Sequence, residues 1–268
     1  MPRMIYPRLR FIEPQLASPV DQPPEGKHWI HEVKHDGYRS QVVIENGKAR
    51  VYTRNGYDWS DRYPGIVRAA SNLSCRSAII DGEAIVRDGN GASDFDALPA
   101  AIQSRSNSII LCAFDLLHLN GVDFRQQILI DRRAELRSLL ETDSNARIQF
   151  SEEFNGSGAA FFGACADHKL EGIVSKHALA PYRSGRGKTW LKAKCFTETD
   201  FLVVGIDRDR KTGALRALLA HVESEGLVYA GAAFIALGGD SRAKFLSEVE
   251  RFTTSWAAFK CKVVHSQA

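Results

Sequence analysis

After a Pro-rich entry (Pro14, Pro19, Pro23, Pro24), the pattern of apolar and polar positions opens with two β-prone runs, 38–45 and 48–54. They flank Asn46-Gly47, a strong signal for a tight hairpin. Tyr63, Ile66, Val67, Ala70 and Leu73 then recur at helical spacing behind a cap at Ser60 or Asp61, with Pro64 tolerable in the first turn. Segments 78–86 and 109–117 read as apolar strands. The second closes on Asn120-Gly121, and a helix capped by Asp131 carries Ala134, Leu136, Leu139 and Leu140. Ser157 is placed to cap a helix reaching about Asp167, and strands follow at 170–176 and 189–195, joined by a basic, Gly-containing loop at 181–187. Beyond Thr199 the pattern turns to short strands (201–206, 214–222, 227–233), as in a small β-barrel. A last helical face follows, made of Phe245, Val249, Phe252 and Trp256. The reading predicts mixed α and β structure rich in hairpins, with a boundary near Thr197.

Composition narrows the class. The 268 residues are 44% hydrophobic and 25% charged, enough for a core and too charged for a membrane-embedded chain. No apolar run approaches the roughly 20 residues of a membrane span, and the first residues lack a secretory stretch, so cytoplasmic residence is the expectation. Five scattered cysteines without a C-x-x-C pair indicate neither a disulfide framework nor a zinc knuckle. Net charge is +3, but its distribution is uneven. Between His168 and Lys194 stand Lys169, Lys176, Arg183, Arg186, Lys188, Lys192 and Lys194 against one acid, Glu171, a field suited to phosphates.

Chemistry-bearing residues recur in a fixed order: Glu32-Val33-Lys34-His35-Asp36-Gly37-Tyr38-Arg39, Thr53-Arg54-Asn55-Gly56, Asp81-Gly82-Glu83, Phe114-Asp115-Leu116-Leu117, Glu171-Gly172-Ile173-Val174-Ser175-Lys176 and Trp190-Leu191-Lys192-Ala193-Lys194. Taken alone, each has an ordinary structural explanation, such as a turn, a core aromatic or a polar strand face. On a strand, Lys192 and Lys194 share one face, as do Asp81 and Glu83, whereas Lys176 has the opposite parity to Glu171 and is at most a weak phosphate contact. Gly187-Lys188-Thr189 ends like a P-loop, but Tyr182 stands where that motif requires glycine, so a P-loop ATPase is rejected. His28 and His31 have ligand-like spacing without an acidic or cysteine companion.

The ordered set resembles the covalent nucleotidyltransferases, and among them the ATP-dependent DNA ligases, most closely the ligase module of bacterial end-joining enzymes. The resemblance is dense from about Trp29 to Lys194 and thinner to about Phe234. It implies an α+β fold: an adenylation domain of antiparallel sheets with flanking helices at 1–197, then a small, incomplete OB-fold β-barrel at 198–268. It implies ATP as donor, Mg²⁺ or Mn²⁺, and sealing of breaks in duplex DNA through lysyl-AMP and DNA-adenylate. Lys34 would be the nucleophile, its pKa of about 10.4 lowered by desolvation and neighbouring cations. Glu32 would meet the base, Phe114 and Ile173 would enclose it, and Glu83 would lie near the ribose. Arg39, Arg54, Lys192 and Lys194 would contact the nucleotide. Glu171, with Glu83, would face the metal, and Arg54, Arg183, Arg186 and Lys188 the DNA backbone.

The resemblance further implies nicked or broken duplex DNA as partner, a Ku-type end-binding protein beside it, a monomer, and no membrane. One departure stands out. The family's Arg-x-Asp-Lys motif near the end of the second domain is missing, and Asp207-Arg208-Asp209-Arg210-Lys211 has the wrong order and place. The expectation is a natural short form or a shortened chain, with self-adenylation weakened. The rival readings are an RNA ligase or capping-type nucleotidyltransferase, which share the lysine motif, and a ligase-derived nick-binding protein.

Overall fold

In the computed structural model, which describes residues 8–141, 147–195, 201–210, 212–224 and 226–252, Asn46 and Gly47 adopt φ of 50° and 72°. Two left-handed residues in succession suit the right-handed twist of the strands they join, so the hairpin signal is met by its geometry. In chain order the elements are β1 (Gln15–Pro19), β2 (Trp29–Val33), β3 (Tyr38–Glu45), β4 (Lys48–Thr53), α1 (Pro64–Ser71), β5 (Ser77–Ile85), α2 (Ala97–Gln103), β6 (Ile110–Leu119), β7 (Val122–Asp123), α3 (Leu129–Glu141), β8 (Ile148–Phe150), β9 (Glu153–Phe154), α4 (Gly158–Asp167), β10 (Gly172–His177), β11 (Gly185–Lys194), β12 (Leu202–Arg208), β13 (Leu215–Glu223), β14 (Gly226–Phe234) and α5 (Gly239–Phe252).

The chain divides into two units, Met1–Phe196 and Thr197–Ala268. The first contains a five-stranded sheet, β1-β11-β10-β2-β9, and a six-stranded sheet, β4-β3-β5-β6-β7, with β8 alongside β6. Pairing is antiparallel except for β1 with β11 and β6 with β8. Val43, Ile79, Phe114 and Leu117 of one sheet meet Ile30 and Trp190 of the other in a core between them. The outer face of the six-stranded sheet packs Val42, Ile44, Ile80 and Leu116 against Ile66 and Ala70 of α1 and Leu136 and Leu140 of α3.

Several boundaries differ from the sequence reading. Helix α1 begins at Pro64 with Tyr63 as its cap and no side-chain cap bond. The Ser60 hydroxyl instead donates to Asp58 and accepts from the Val51 amide. Asp131 lies in the first turn of α3 rather than at its cap, where its charge still complements the helix dipole. Ser157 does cap α4, accepting from the Ala160 amide. The loop foreseen at 181–187 is partly strand, because β1 adds to β11 with Gln15 opposite Gly185. Nothing local in a Pro-rich entry signals that strand.

The second unit holds the antiparallel meander β12-β13-β14 and α5. Among its described residues it is an open sheet, not a closed barrel, because three strands cannot wrap to bond first with last. The expected helix-face residue Trp256 lies outside the described residues.

Candidate active site

Two glycines bring the charged side chains of the candidate site together. A Cβ on Gly37 would lie 2.3 Å from the carbonyl oxygen of Ala84, so only glycine lets the 36–37 turn pass this close to β5. At Gly172 the φ of 145° and a 2.1 Å approach of a Cβ to the Ala193 oxygen impose the same restriction. The Lys34 amide donates to the Gly172 carbonyl at 2.8 Å, which fastens the residue after β2 to the start of β10. As a result the Lys34 ammonium forms an ion pair with Glu171, whose other oxygen lies 3.2 Å from the Lys194 ammonium.

Lys34 stands where two cavities meet. One, of about 190 Å³, is also lined by Glu32, Arg39, Glu83, Phe114, Val174, Lys176, Trp190 and Lys192. Arg54 and Arg186, both exposed, stand on it too. The other, of about 540 Å³, is shared by Lys34 and His35 with Asp36, Glu171, Lys169 and the 90–93 loop. Lys192 faces the first cavity, and burial with the nearby charges of Lys34, Lys194 and Arg186 holds its ammonium below the ordinary value. Burial pushes Glu83 up to about 7, against the pull of Arg39 and Lys34. Asp36 is raised as well, by burial and then by Glu171.

The floor of the first cavity is a buried charge cluster. Glu32, 2% exposed, has Oε1 at 2.9 Å from Arg133 and 2.6 Å from the Lys176 ammonium, and Oε2 accepts from the Ser151 hydroxyl. Burial works against the Glu32 charge, but Lys176 and Arg133 outweigh it and hold the carboxyl below its usual range. Lys176 is itself depressed to about 8 by burial, with Glu32 acting in the opposite direction. Its ammonium lies 4.1 Å from the Phe114 ring centre and 4.4 Å from that of Trp190. The Arg39 guanidinium also lies over Phe114, at 4.5 Å, while gripping Asp81 through two 2.7 Å bonds.

The sequence-predicted residues are not all brought together. Glu32, Lys34, Arg39, Arg54, Glu83, Phe114, Arg186 and Lys192 line one cavity. Glu171 and Lys194 meet Lys34 at its edge. Ile173 does not belong to this set. It is fully buried on the opposite face of β10 with Cys165 and Ala193, and strand alternation gives the cavity position to Val174. Arg183 turns to Gln126 and, like Lys188, does not line the cavity. Lys176, which parity separates from Glu171, is deeply embedded in the site. Arg133 and Tyr182 also carry structure here without having been singled out. Of these, Lys176 had a usable signal, since alternation along β10 puts it on the side of Val174.

Comparison with known proteins bears on what this cavity serves. Residues 14–194 match the family model described as ATP dependent DNA ligase domain. The chain is 37% identical over 231 residues to the multifunctional non-homologous end joining protein LigD of Pseudomonas aeruginosa, covering 84% of this chain and 27% of that protein. It therefore spans about a quarter of that relative's length. It is 30% identical over 199 residues to a prophage-derived DNA ligase-like protein, LigB, of Bacillus subtilis, covering 73% of this chain and 72% of the relative. Among solved structures, mycobacterial DNA ligase D complexed with ATP and MES superposes with a TM-score of 0.62 at 27% identity, covering 93% of this chain and 81% of that one.

Proposed function

The chain belongs to the ATP-dependent DNA ligase family, and from that premise we propose that it seals breaks in duplex DNA through an AMP group carried on Lys34. The observation that carries this reading is the position of Lys34: its amine is at the junction of two cavities, against Glu171, with Lys192 and Lys194 close by. In the first step the Lys34 nitrogen attacks the α-phosphorus of ATP, the N–P bond forms, and the P–O bond to pyrophosphate breaks. A 5′-phosphate oxygen then displaces Lys34 from the AMP phosphorus. The 3′-hydroxyl finally attacks the 5′-phosphorus and releases AMP.

The side chains suit these displacements. Glu32, held anionic, would accept from the exocyclic amine of adenine, with Phe114 and Val174 against the ring. Glu83 and Arg39 are placed for the ribose, and Lys192 and Lys194 for charge on the α-phosphate. Among the described residues no three acidic, histidine or cysteine side chains converge as a ready-made metal cage. Glu171 and Glu83 nonetheless provide hard oxygen donors of the kind Mg²⁺ uses with phosphates and water, so they fit that ion and would hold it. When bound there, the ion would neutralise phosphate charge. Glu171 is the Lys34 counter-ion, so a cation held there would compete with the Lys34 side chain for that carboxylate.

We assign residues 1–197 to the adenylation domain and 198–268 to an OB-fold domain. Arg54, Arg186, Lys188 and Arg183 supply cations for the DNA backbone. The end-joining relatives support broken DNA ends as a substrate, and with it we propose a Ku-type end-binding partner. The test is incubation with labelled ATP and Mg²⁺, followed by addition of a nicked duplex. Wild type is expected to retain covalent AMP and seal the nick, and Lys34→Ala to do neither. Equal labelling of the two proteins overturns the assignment, and preferential labelling by GTP redirects it to capping chemistry.

A further inference from the structure

Arg39 and three other residues form a closed ring of hydrogen bonds. Arg39 Nε and Nη2 donate to the two oxygens of Asp81, both at 2.7 Å. The Tyr182 hydroxyl donates to Asp81 Oδ2 at 2.8 Å and accepts from the Gln15 amide at 2.9 Å. The circuit closes with Arg39 Nη2 donating to the Gln15 carbonyl at 3.3 Å. Asp81 is fully buried and Tyr182 is 2% exposed. The Gln15 side chain anchors the ring further, accepting from the Arg183 amide at 2.8 Å and donating to the Thr189 hydroxyl at 2.9 Å.

We propose that Tyr182 is a positioning residue for the ligase reaction, acting through Asp81 to hold the Arg39 guanidinium over the nucleotide cavity, with β1 as the clamp. The inference rests on the functional reading above and adds a residue and a strand to it. An arginine has many rotamers, and ordering one at the moment of binding costs side-chain entropy. Here that ordering is complete beforehand: two of the three guanidinium nitrogens are committed to the ring, leaving Nη1 outside it. The tyrosine is braced in a second direction, because its ring meets Trp190 edge-on at 6.1 Å and 89°, and Trp190 meets Phe114 edge-on at 5.9 Å and 81°. Removing the hydroxyl takes one donor from a buried carboxylate and leaves the Gln15 amide unpaired, while the aromatic packing stays.

A double-mutant cycle on the rate of lysyl-AMP formation separates positioning from structural support. Tyr182→Phe is expected to slow the reaction on the order of tenfold in the presence of Arg39, the usual scale for a bond to a charged group. In the Arg39→Lys background, where no fork remains to be aimed, the same change is expected to cost less than about twofold. Equal fold-losses in both backgrounds overturn the proposal. If Arg39→Lys does not fold, Tyr182→Phe alone decides, assayed at a temperature where circular dichroism shows it fully folded: slowed adenylylation there supports the proposal, and an unchanged rate overturns it. Wild type that forms no lysyl-AMP defeats the functional reading itself, a result distinct from an additive cycle.

Discussion

At the scale of single residues, burial sets the charges. His35 follows Lys34, the proposed nucleophile, and lines both cavities, and burial lowers its pKa from 6.5 to about 4, with Glu32 opposing and Arg87, Lys176 and Lys34 assisting. The unfolded chain therefore takes up a proton between pH 6.5 and 4 that the folded chain refuses. Its contribution to stability is complete above pH 6.5 and declines as pH falls toward 4, by about 2 kcal/mol at pH 5. Denaturant titrations at pH 7 and pH 5 should show His35→Leu losing less on acidification than wild type does. Glu32 and Lys176 illustrate the same physics in a pair: each is too buried to be charged alone, and each is the other's reason for remaining so. The nature of these residues could be read in the chain. That Lys176 is the neighbour of Glu32 could not.

Among elements, the site depends on strands brought closer than ordinary side chains permit. Gly172 is where β10 begins, where β11 crosses at Ala193, and where the Lys34 amide is tied. Gly172→Ala would force a Cβ to within 2.1 Å of a backbone oxygen at a φ of 145°, so β10 and β11 must separate. The expected cost is about 3 kcal/mol, from backbone strain and the displaced strand. A matching loss of lysyl-AMP formation should follow, since Glu171 immediately precedes β10 and Lys194 ends β11. Thermal unfolding measured beside the labelling assay checks both. Most of these elements were legible from local signals: the Asn46-Gly47 turn, the Ser157 cap, the apolar run that became β6. Strand β1 was not, because its pairing with β11 is decided by residues about 170 positions away.

For the whole molecule, a net charge of +3 conceals a one-sided distribution. Arg54 and Arg186 stand exposed on the cavity and Lys188 lies two residues beyond Arg186. If the three neutralise backbone phosphates, their joint replacement by alanine should lower the slope of log affinity against log salt for nicked DNA by about 2.7, at 0.9 per phosphate contact. Fluorescence anisotropy across a salt series measures it, and an unchanged slope would place the DNA elsewhere. No helix among the described residues is long and apolar enough to cross a membrane.

What the chain by itself determined was what neighbours in sequence can settle: the Asn46-Gly47 turn, the Ser157 cap, the shared strand face of Lys192 and Lys194, and the ordered motifs that indicate a nucleotidyl carrier. Only the tertiary structure decided that Val174 rather than Ile173 lines the cavity, that Lys176 and Arg133 hold Glu32, and that Tyr182 and Gln15, 167 positions apart, close a ring around Arg39. Alternation along a strand defines two faces, but which face meets a cavity depends on how sheets dock. That docking is governed by burial summed over the whole core, not by any one segment.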